Sequence, residues 1–343
     1  MGKVGCYTVR FTVYFCVLLA YGCGSKDAVK DAFIDYIEAL NRSSSLEIET
    51  GDIPRSLLML PALRDRQQSL RQFDIGLVDF LSLQGCELGQ LIGQRNSILG
   101  KVMPASQLLL YEFNLIRAIE TCPIASPSLA QALAEIAKIK RTELFKVFAN
   151  NLWAGAETQV FFSFSNGYLP MSAGASRYQE LALSLLYLTQ LGGRLSELPQ
   201  IPVKEFEAHF QTLYESEYAG KLLLTLVDLA HYLNRIADAV ESLTPSSRFC
   251  GAPMGYLKQQ FKVHYIERLQ PYMGRINHSA YRILNSFALL QQQTSPMNPV
   301  MMNFLDQWSM TKETGYWSVY QAASRRHALA WSGVFKACNL SIK

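Results

Sequence analysis

"PSLAQALAEIAKIKRTELFKVF", Pro127 to Phe148, repeats its apolar side chains at the period of an α-helix. Leu129, Leu133, Ile136, then Ile139 or Lys140, Leu144 and Phe148 fall on one face. Its start is marked as well. Ser126 is a helix-capping residue type, and Pro127 suits a first turn, where a missing N–H removes no helical hydrogen bond.

The same period spreads outward from this stretch. "VKDAFIDYIEAL", Val29 to Leu40, gathers Val29, Phe33, Tyr36, Ile37 and Leu40 on one side and leaves Lys30, Asp31, Asp35 and Glu38 elsewhere. Similar patterns predict helices over Phe73–Leu83, Glu87–Leu99, Ser106–Thr121, Arg177–Leu191, Val203–Leu243, Tyr256–Gln291 and Thr314–Lys336. Strand alternation is nearly absent. "LEIET", Leu46 to Thr50, is the one short candidate, and a lone strand lacks a partner. Gly, Pro, Ser and Asn punctuate the chain at Ser43–Pro54, Ser165–Ala175, Gly192–Pro202, Thr244–Gly255 and Gln291–Pro299. No helical repeat recurs at a period of about 34–45 residues. The expected architecture is all-α: a compact, non-solenoid multi-helix body over residues 23–343, with a seam near 192–202.

A different kind of segment precedes that body. "FTVYFCVLLAYGCGSKD", Phe11 to Asp27, opens on an apolar run, Phe11 to Ala20, interrupted by Thr12 alone. That run is too short for a bilayer core of about 30 Å, yet it suits a signal-peptide h-region of about 7–15 residues. Lys3 and Arg10 supply the positive flank, so residues 1–22 are expected to be removed. Leu18-Leu19-Ala20-Tyr21-Gly22-Cys23 resembles a bacterial lipobox, which implies acylation of Cys23 at the new N-terminus; ordinary cleavage after Ala-x-Gly is the alternative. With Gly24 rather than Asp next, the resemblance implies outer-membrane sorting with the body in the periplasm. No second span is expected, since Leu181–Gly193 is too short and Ile283–Leu305 carries glutamines, prolines and asparagines.

If Cys23 is acylated, Cys86, Cys122, Cys250 and Cys338 remain, an even set suited to an oxidising compartment. Four cysteines allow three pairings. The reading favours Cys86 with Cys122, which flank one helical stretch, and Cys250 with Cys338, which would tie down the tail; buried free thiols are the alternative. Loss of Lys3 and Arg10 leaves 30 basic against 28 acidic residues. The balance is near neutral. The one tight basic cluster, Arg325-Arg326-His327, is too small to neutralise several phosphates, so no nucleic-acid partner is expected.

"FDIGLVDFLSLQGCELGQLIGQRNSILGKVMPASQLLLYE", Phe73 to Glu112, resembles the core block of a Gram-negative lipoprotein family, domain of unknown function family 3080. Its Asp-Ile-Gly-Leu-x-Asp-Phe start, its cysteine and its Gln-Arg-Asn-Ser segment carry that resemblance. It implies a helical fold and an envelope location, and carries over no catalytic residue. Within the block, Gly93 and Gly100-Lys101-Val102 fail as a phosphate loop, which needs four residues between the glycines and Ser or Thr after the lysine. Gln94 to Ser97 reads as a polar helix end, with Arg95 and Asn96 the ligand-binding alternative.

His209, His231, His264, His278 and His327 are scattered, so no metal site and no cofactor is expected. Asp228, His231 and Arg235, and likewise His264, Glu267 and Arg268, occupy adjacent turns, where a carboxylate could orient an imidazole for acid–base work; exposed ion-pair faces share that pattern. In the last helix Trp317, Tyr320, Ser324, His327 and Trp331 fall on one side, as a docked core face or as a grip for a glycan or membrane surface. The expected function is a noncatalytic envelope lipoprotein that binds or organises envelope proteins or peptidoglycan and meets the membrane through its N-terminal lipid. A periplasmic hydrolase acting on peptidoglycan or lipid is the alternative, because glycosidase carboxylate pairs leave no local motif.

Overall fold

Asn41 decides the fate of the one strand candidate. Its amide Nδ2 donates to the Ile48 carbonyl (2.7 Å) and its Oδ1 accepts from the Ile48 N–H (2.9 Å). One side chain thus stands in for a ladder. Leu46 and Ile48 are buried while the segment stays extended without pairing, and no strand forms among the described residues. The computed structural model describes residues 28–51, 57–172 and 176–341; residues 1–22 and Cys23, read above as leader and lipid site, lie outside them.

In chain order the described residues form α1 (Ala28–Asn41), α2 (Leu63–Arg66), α3 (Leu77–Ser82), α4 (Glu87–Asn96), α5 (Ile98–Lys101), α6 (Ala105–Thr121), α7 (Pro127–Ala154) and α8 (Ala156–Phe161). They continue with α9 (Gln179–Gly192), α10 (Val203–Ser216), α11 (Tyr218–Glu241) and α12 (Ala252–Gln260). A π-helical segment, Phe261–Leu269, leads without a break into α13 (Gln270–Gln293), followed by α14 (Pro299–Asp306) and α15 (Tyr316–Ala337).

α7 starts where its sequence says it should. Ser126 Oγ accepts from the Leu129 amide (3.4 Å) and Pro127 fills the first turn. α6 and α7 pack as a hairpin through Leu109, Phe113, Ile116, Leu133 and Leu144, all buried. At the centre lies α11, where Leu222, Leu223, Leu226, Leu229, Leu233 and Ile236 are buried around most of the circumference, as expected for a helix apolar on every side. α15 runs along α11, α1 crosses it with Phe33 stacked on Tyr232 at 5.0 Å, and α9 packs on α13. The 192–202 segment is held to the hairpin: Arg117 donates to the Leu198 carbonyl (2.9 Å) and Arg141 to that of Ser196 (2.9 Å).

Three expected helices take a different form. Glu87–Leu99 stops at Asn96, because Ser97 is extended and caps a separate helix, α5. Val203–Leu243 is not one helix, because Glu217 sits in the left-handed region (φ 47°) and separates α10 from α11. The cause is tertiary. Gly220 presses against the Ser163 carbonyl so closely that any Cβ would overlap it, and Tyr218 is fully buried, so the start of α11 is fixed by contact rather than by propensity. Phe73–Leu83 is helical only over α3, which starts after the extended Gly76; just before this stretch, residues 66–73 run as a strap along α7. Arg66 donates to the Trp153 carbonyl (2.7 Å), Asn150 brackets the Gln68 backbone (2.7 and 2.9 Å), and Glu143 accepts the Arg71 amide (3.0 Å).

Disulfides join Cys86 to Cys122 and Cys250 to Cys338. The first staples the start of α4 to the end of α6. The second ties the residue after α15 to the turn before α12. No helix among the described residues is long and apolar enough to cross a membrane.

Candidate functional site

The aromatic stripe of α15 is spent on the core. Tyr320, His327 and Trp331 are fully buried and Trp317 nearly so. His327 lies among Tyr36, Phe261 and Tyr265 at ring-centroid distances of 6.2, 6.1 and 4.3 Å, and Trp331 stacks on Phe335 at 5.5 Å. Tyr320 OH donates to Asn277 Oδ1 (3.0 Å). Burial alone pushes His327 down to a pKa of about 3, so its imidazole is neutral, and burial raises the phenols of Tyr36, Tyr265 and Tyr320. These groups fill and orient; no surface is left on that face for a glycan.

Asp228 is fully buried on α11 and accepts from Tyr168 OH (2.6 Å). Neighbouring bonds continue the pattern. Thr225 Oγ1 accepts the Leu169 amide (3.0 Å), Tyr272 OH donates to the Leu169 carbonyl (2.7 Å), and Arg275 donates to that of Met171 (2.6 Å). The segment 168–171 is thereby clamped across α11 and α13, with the Leu169 amide and carbonyl and the Met171 carbonyl satisfied by side chains. One turn on, His231 has a buried Nε2 without a hydrogen-bond partner, and burial followed by the nearby Arg235 lowers its pKa. Arg235 itself donates to the carbonyls of Glu49 (2.9 Å) and Gly51 (3.0 Å), holding the extended segment after α1.

His264 and Glu267 lie in the π-helical segment, which changes their geometry. An α-helical spacing would set Glu267 over His264; the wider π turn closes i to i+5 and instead brings Glu267 to Lys262 (3.8 Å). His264 stacks on Tyr36 at 5.9 Å, with its pKa lowered by burial and by Arg268, and Arg268 pairs with Asp35 (2.6 Å). At the end of α4, Arg95 donates to the Gly100 carbonyl, and Ser97 Oγ accepts the Gly100 amide (3.0 Å) to cap α5. Asn96 is exposed beside them. Gln94 to Ser97 therefore makes a hydrogen-bonded corner between two helices.

The four sequence-weighted groups sit on separate elements, Asp228 and His231 on α11, His264 and Glu267 on the π segment, Arg95 and Asn96 at the end of α4, and the aromatics on α15; the π segment and α15 meet at Tyr36, whose ring packs against both His264 and His327. Among the described residues no cluster of three His, Cys, Asp or Glu is placed to hold a metal. Sequence reasoning missed a shallow cleft of about 580 Å³ along the α6–α7 hairpin. Ile119, Ile124, Ala130 and Ala137 line it beside the Cys86–Cys122 bridge, and Glu120, Lys138 and Arg141 rim it. Arg141 is already committed, chelating Glu120 through Nε (2.8 Å) and Nη2 (2.9 Å). The alanines at Ala130, Ala134 and Ala137 were the available signal, since small side chains one helical turn apart leave a groove.

No curated protein and no solved structure matches the chain. One family does, over residues 33–342, which is nearly the whole helical body from the second turn of α1 to past the Cys338 disulfide. The chain therefore belongs to the family described as Protein of unknown function (DUF3080).

Proposed function

We propose that this chain is a lipoprotein of the bacterial cell envelope, acylated at Cys23, anchored in the outer membrane with its helical body in the periplasm. It serves there as a noncatalytic component that binds or organises envelope proteins or peptidoglycan. The observation that carries the reading is the pair of disulfides, Cys86–Cys122 and Cys250–Cys338, in a chain whose Phe11–Cys23 stretch resembles an export leader ending at a lipobox. Structural disulfides persist where the compartment oxidises thiols and are rare in the cytosol of mesophiles. Leader and bridges are independent features, and both call for export. The roles of the catalytic candidates support the noncatalytic part: Asp228 accepts the Tyr168 hydroxyl and Glu267 faces Lys262.

Cys23→Ser tests it. The wild-type chain should sediment with outer membranes with all four body cysteines resistant to alkylation, and the variant should shift to the soluble periplasmic fraction or stay as uncleaved precursor. A wild-type chain found in the cytosol with alkylatable Cys86 and Cys250 would overturn the reading. Crosslinking in intact cells then identifies the partner: recovery of envelope proteins or muropeptides is the expected outcome.

A further inference from the structure

α3 and α5 turn their apolar side chains away from the body. Leu77, Val78 and Leu81 are 73%, 81% and 59% exposed, and Ile98, Leu99 and Val102 are 86%, 81% and 73% exposed. α4 between them does the reverse, with Leu88 and Leu91 buried, as is Leu83 just before it. Both exposed groups sit at one end of α4. The Phe80 ring of α3 comes within 3.7 Å of where a Cβ on Gly93 would stand, and Gly100 of α5 packs directly on the Gln94 and Arg95 carbonyls. The base is fixed to the body by the Cys86–Cys122 disulfide. A scattered exposed leucine needs no explanation, whereas six aliphatics carried by two short segments that both pack on the end of α4 mark a contact surface.

Their chemistry selects the partner. All six are aliphatic, while the anchors of protein interfaces are Trp, Tyr and Arg, with Leu and Val under-represented. Side chains this exposed stand proud of the surface and offer no pocket to a partner's side chain. They gain most by entering the acyl boundary of a bilayer. Asp79 on α3 and Lys101 on α5 cancel, so the attraction is apolar rather than ionic.

Reach supports the same partner. Cys23 lies five residues before Ala28, a span of at most about 18 Å when fully extended. A body of this length has a radius of gyration of about 20 Å, so an acylated Cys23 holds it against the membrane surface. The geometry points to α3–α5 as a second, noncovalent membrane contact, in which these aliphatics insert into the headgroup–acyl boundary of the bilayer that Cys23 is tethered to. The argument from reach rests on the proposed anchor; the exposure and composition do not.

The native tryptophans Trp153, Trp308, Trp317 and Trp331 are at most 8% exposed and shielded from lipid bromine, so emission of a variant minus that of the wild type reports the added tryptophan. Val78→Trp, Leu99→Trp and a control, Leu329→Trp on α15 (71% exposed), are made in the full chain and reconstituted into phosphatidylethanolamine–phosphatidylglycerol vesicles with bromine on the acyl chains. The expected result in that difference emission is a blue shift with quenching about twofold or more at positions 78 and 99, and little at 329. Equal quenching at all three positions, or none at 78 and 99, overturns the proposal. So does protection of position 99 by an envelope protein without quenching by lipid, which would make the face a protein interface. Intact mass reports acylation of Cys23 separately. Should Cys23 prove unmodified, quenching of the same variants added to preformed vesicles still supports the contact, and its absence overturns it.

Discussion

The indole N–H of Trp331 donates to Nε2 of His327 across 3.2 Å, one turn earlier on α15 and wholly inside the core. That bond fixes the imidazole as an acceptor at Nε2, so its single proton sits on Nδ1, which has no partner. Burial holds the folded pKa at about 3, against about 6.5 in an unfolded chain. Between those values the unfolded state binds the extra proton, so the stability associated with neutral His327 is fully present above pH 6.5 and declines as pH falls toward 3. The decline approaches about 1.4 kcal/mol per pH unit. His327→Phe should lower stability at pH 7.5 by about 1–3 kcal/mol, leaving the Trp331 donor unpaired, yet flatten the pH dependence between 4 and 6.5. Denaturant unfolding across that range checks it: equal slopes in both proteins would contradict the account.

Consecutive residues of α7 carry ion pairs of very different worth. Lys140 chelates Glu112 (2.8 and 2.9 Å) where the Glu112 side chain is 9% exposed, and lies 5.7 Å from the Phe73 ring centroid. Removing the lysine strands a carboxylate, so Lys140→Ala should cost about 3 kcal/mol. Arg141 pairs with Glu120 at the surface, and Arg141→Ala should cost under about 1 kcal/mol. The two variants compared by chemical denaturation decide it, and similar losses would show that the burial of Glu112 is not what matters.

Gly220 lies near the start of α11, where helix propensity alone favours alanine by about 1 kcal/mol. Contact with the Ser163 backbone reverses the sign. Gly220→Ala should destabilise by about 1–3 kcal/mol, because a carbonyl within packed backbone cannot retreat as a flexible side chain could. A rise in Tm on this substitution would mean that α11 is free to shift.

The disulfides close spans of 36 and 88 residues. Chain entropy assigns them about 4 and about 4.6 kcal/mol. Cys86→Ser with Cys122→Ser should lower unfolding free energy by roughly the first figure and loosen α4 selectively, read as faster amide exchange over residues 87–102 than in α11. Uniform exchange changes would show that the bridge does not staple this module in particular.

How far the fold can be read from the sequence depends on where each boundary is decided. The start of α7 is written locally, in Ser126 and Pro127, and so is the buried stripe of α15. The Cys250–Cys338 pairing is one of three that four cysteines allow, so the sequence could favour it but only the structure gives it. The break at Glu217 has no local signal, since "YESEY" contains neither Gly nor Pro and the cause lies some fifty residues away at Ser163. The π register at Phe261–Leu269 keeps the apolar order of an α-helix, and only its effect on His264 and Glu267 differs. Polar residues on α7 such as Glu143 and Asn150 look like surface in sequence and are buried because the 66–73 strap lies over them. The exposed aliphatics of α3 and α5 read as helical core for the same reason inverted: periodicity gives a face but not the neighbour that covers it.

The mass of the intact chain recovered from membranes addresses the proposed envelope role most directly. The account predicts a polypeptide starting at Cys23, heavier than its residues by a diacylglyceryl group and an amide-linked acyl chain. A polypeptide that retains Met1, or one that starts at Cys23 with a free thiol and no acyl chain, contradicts it.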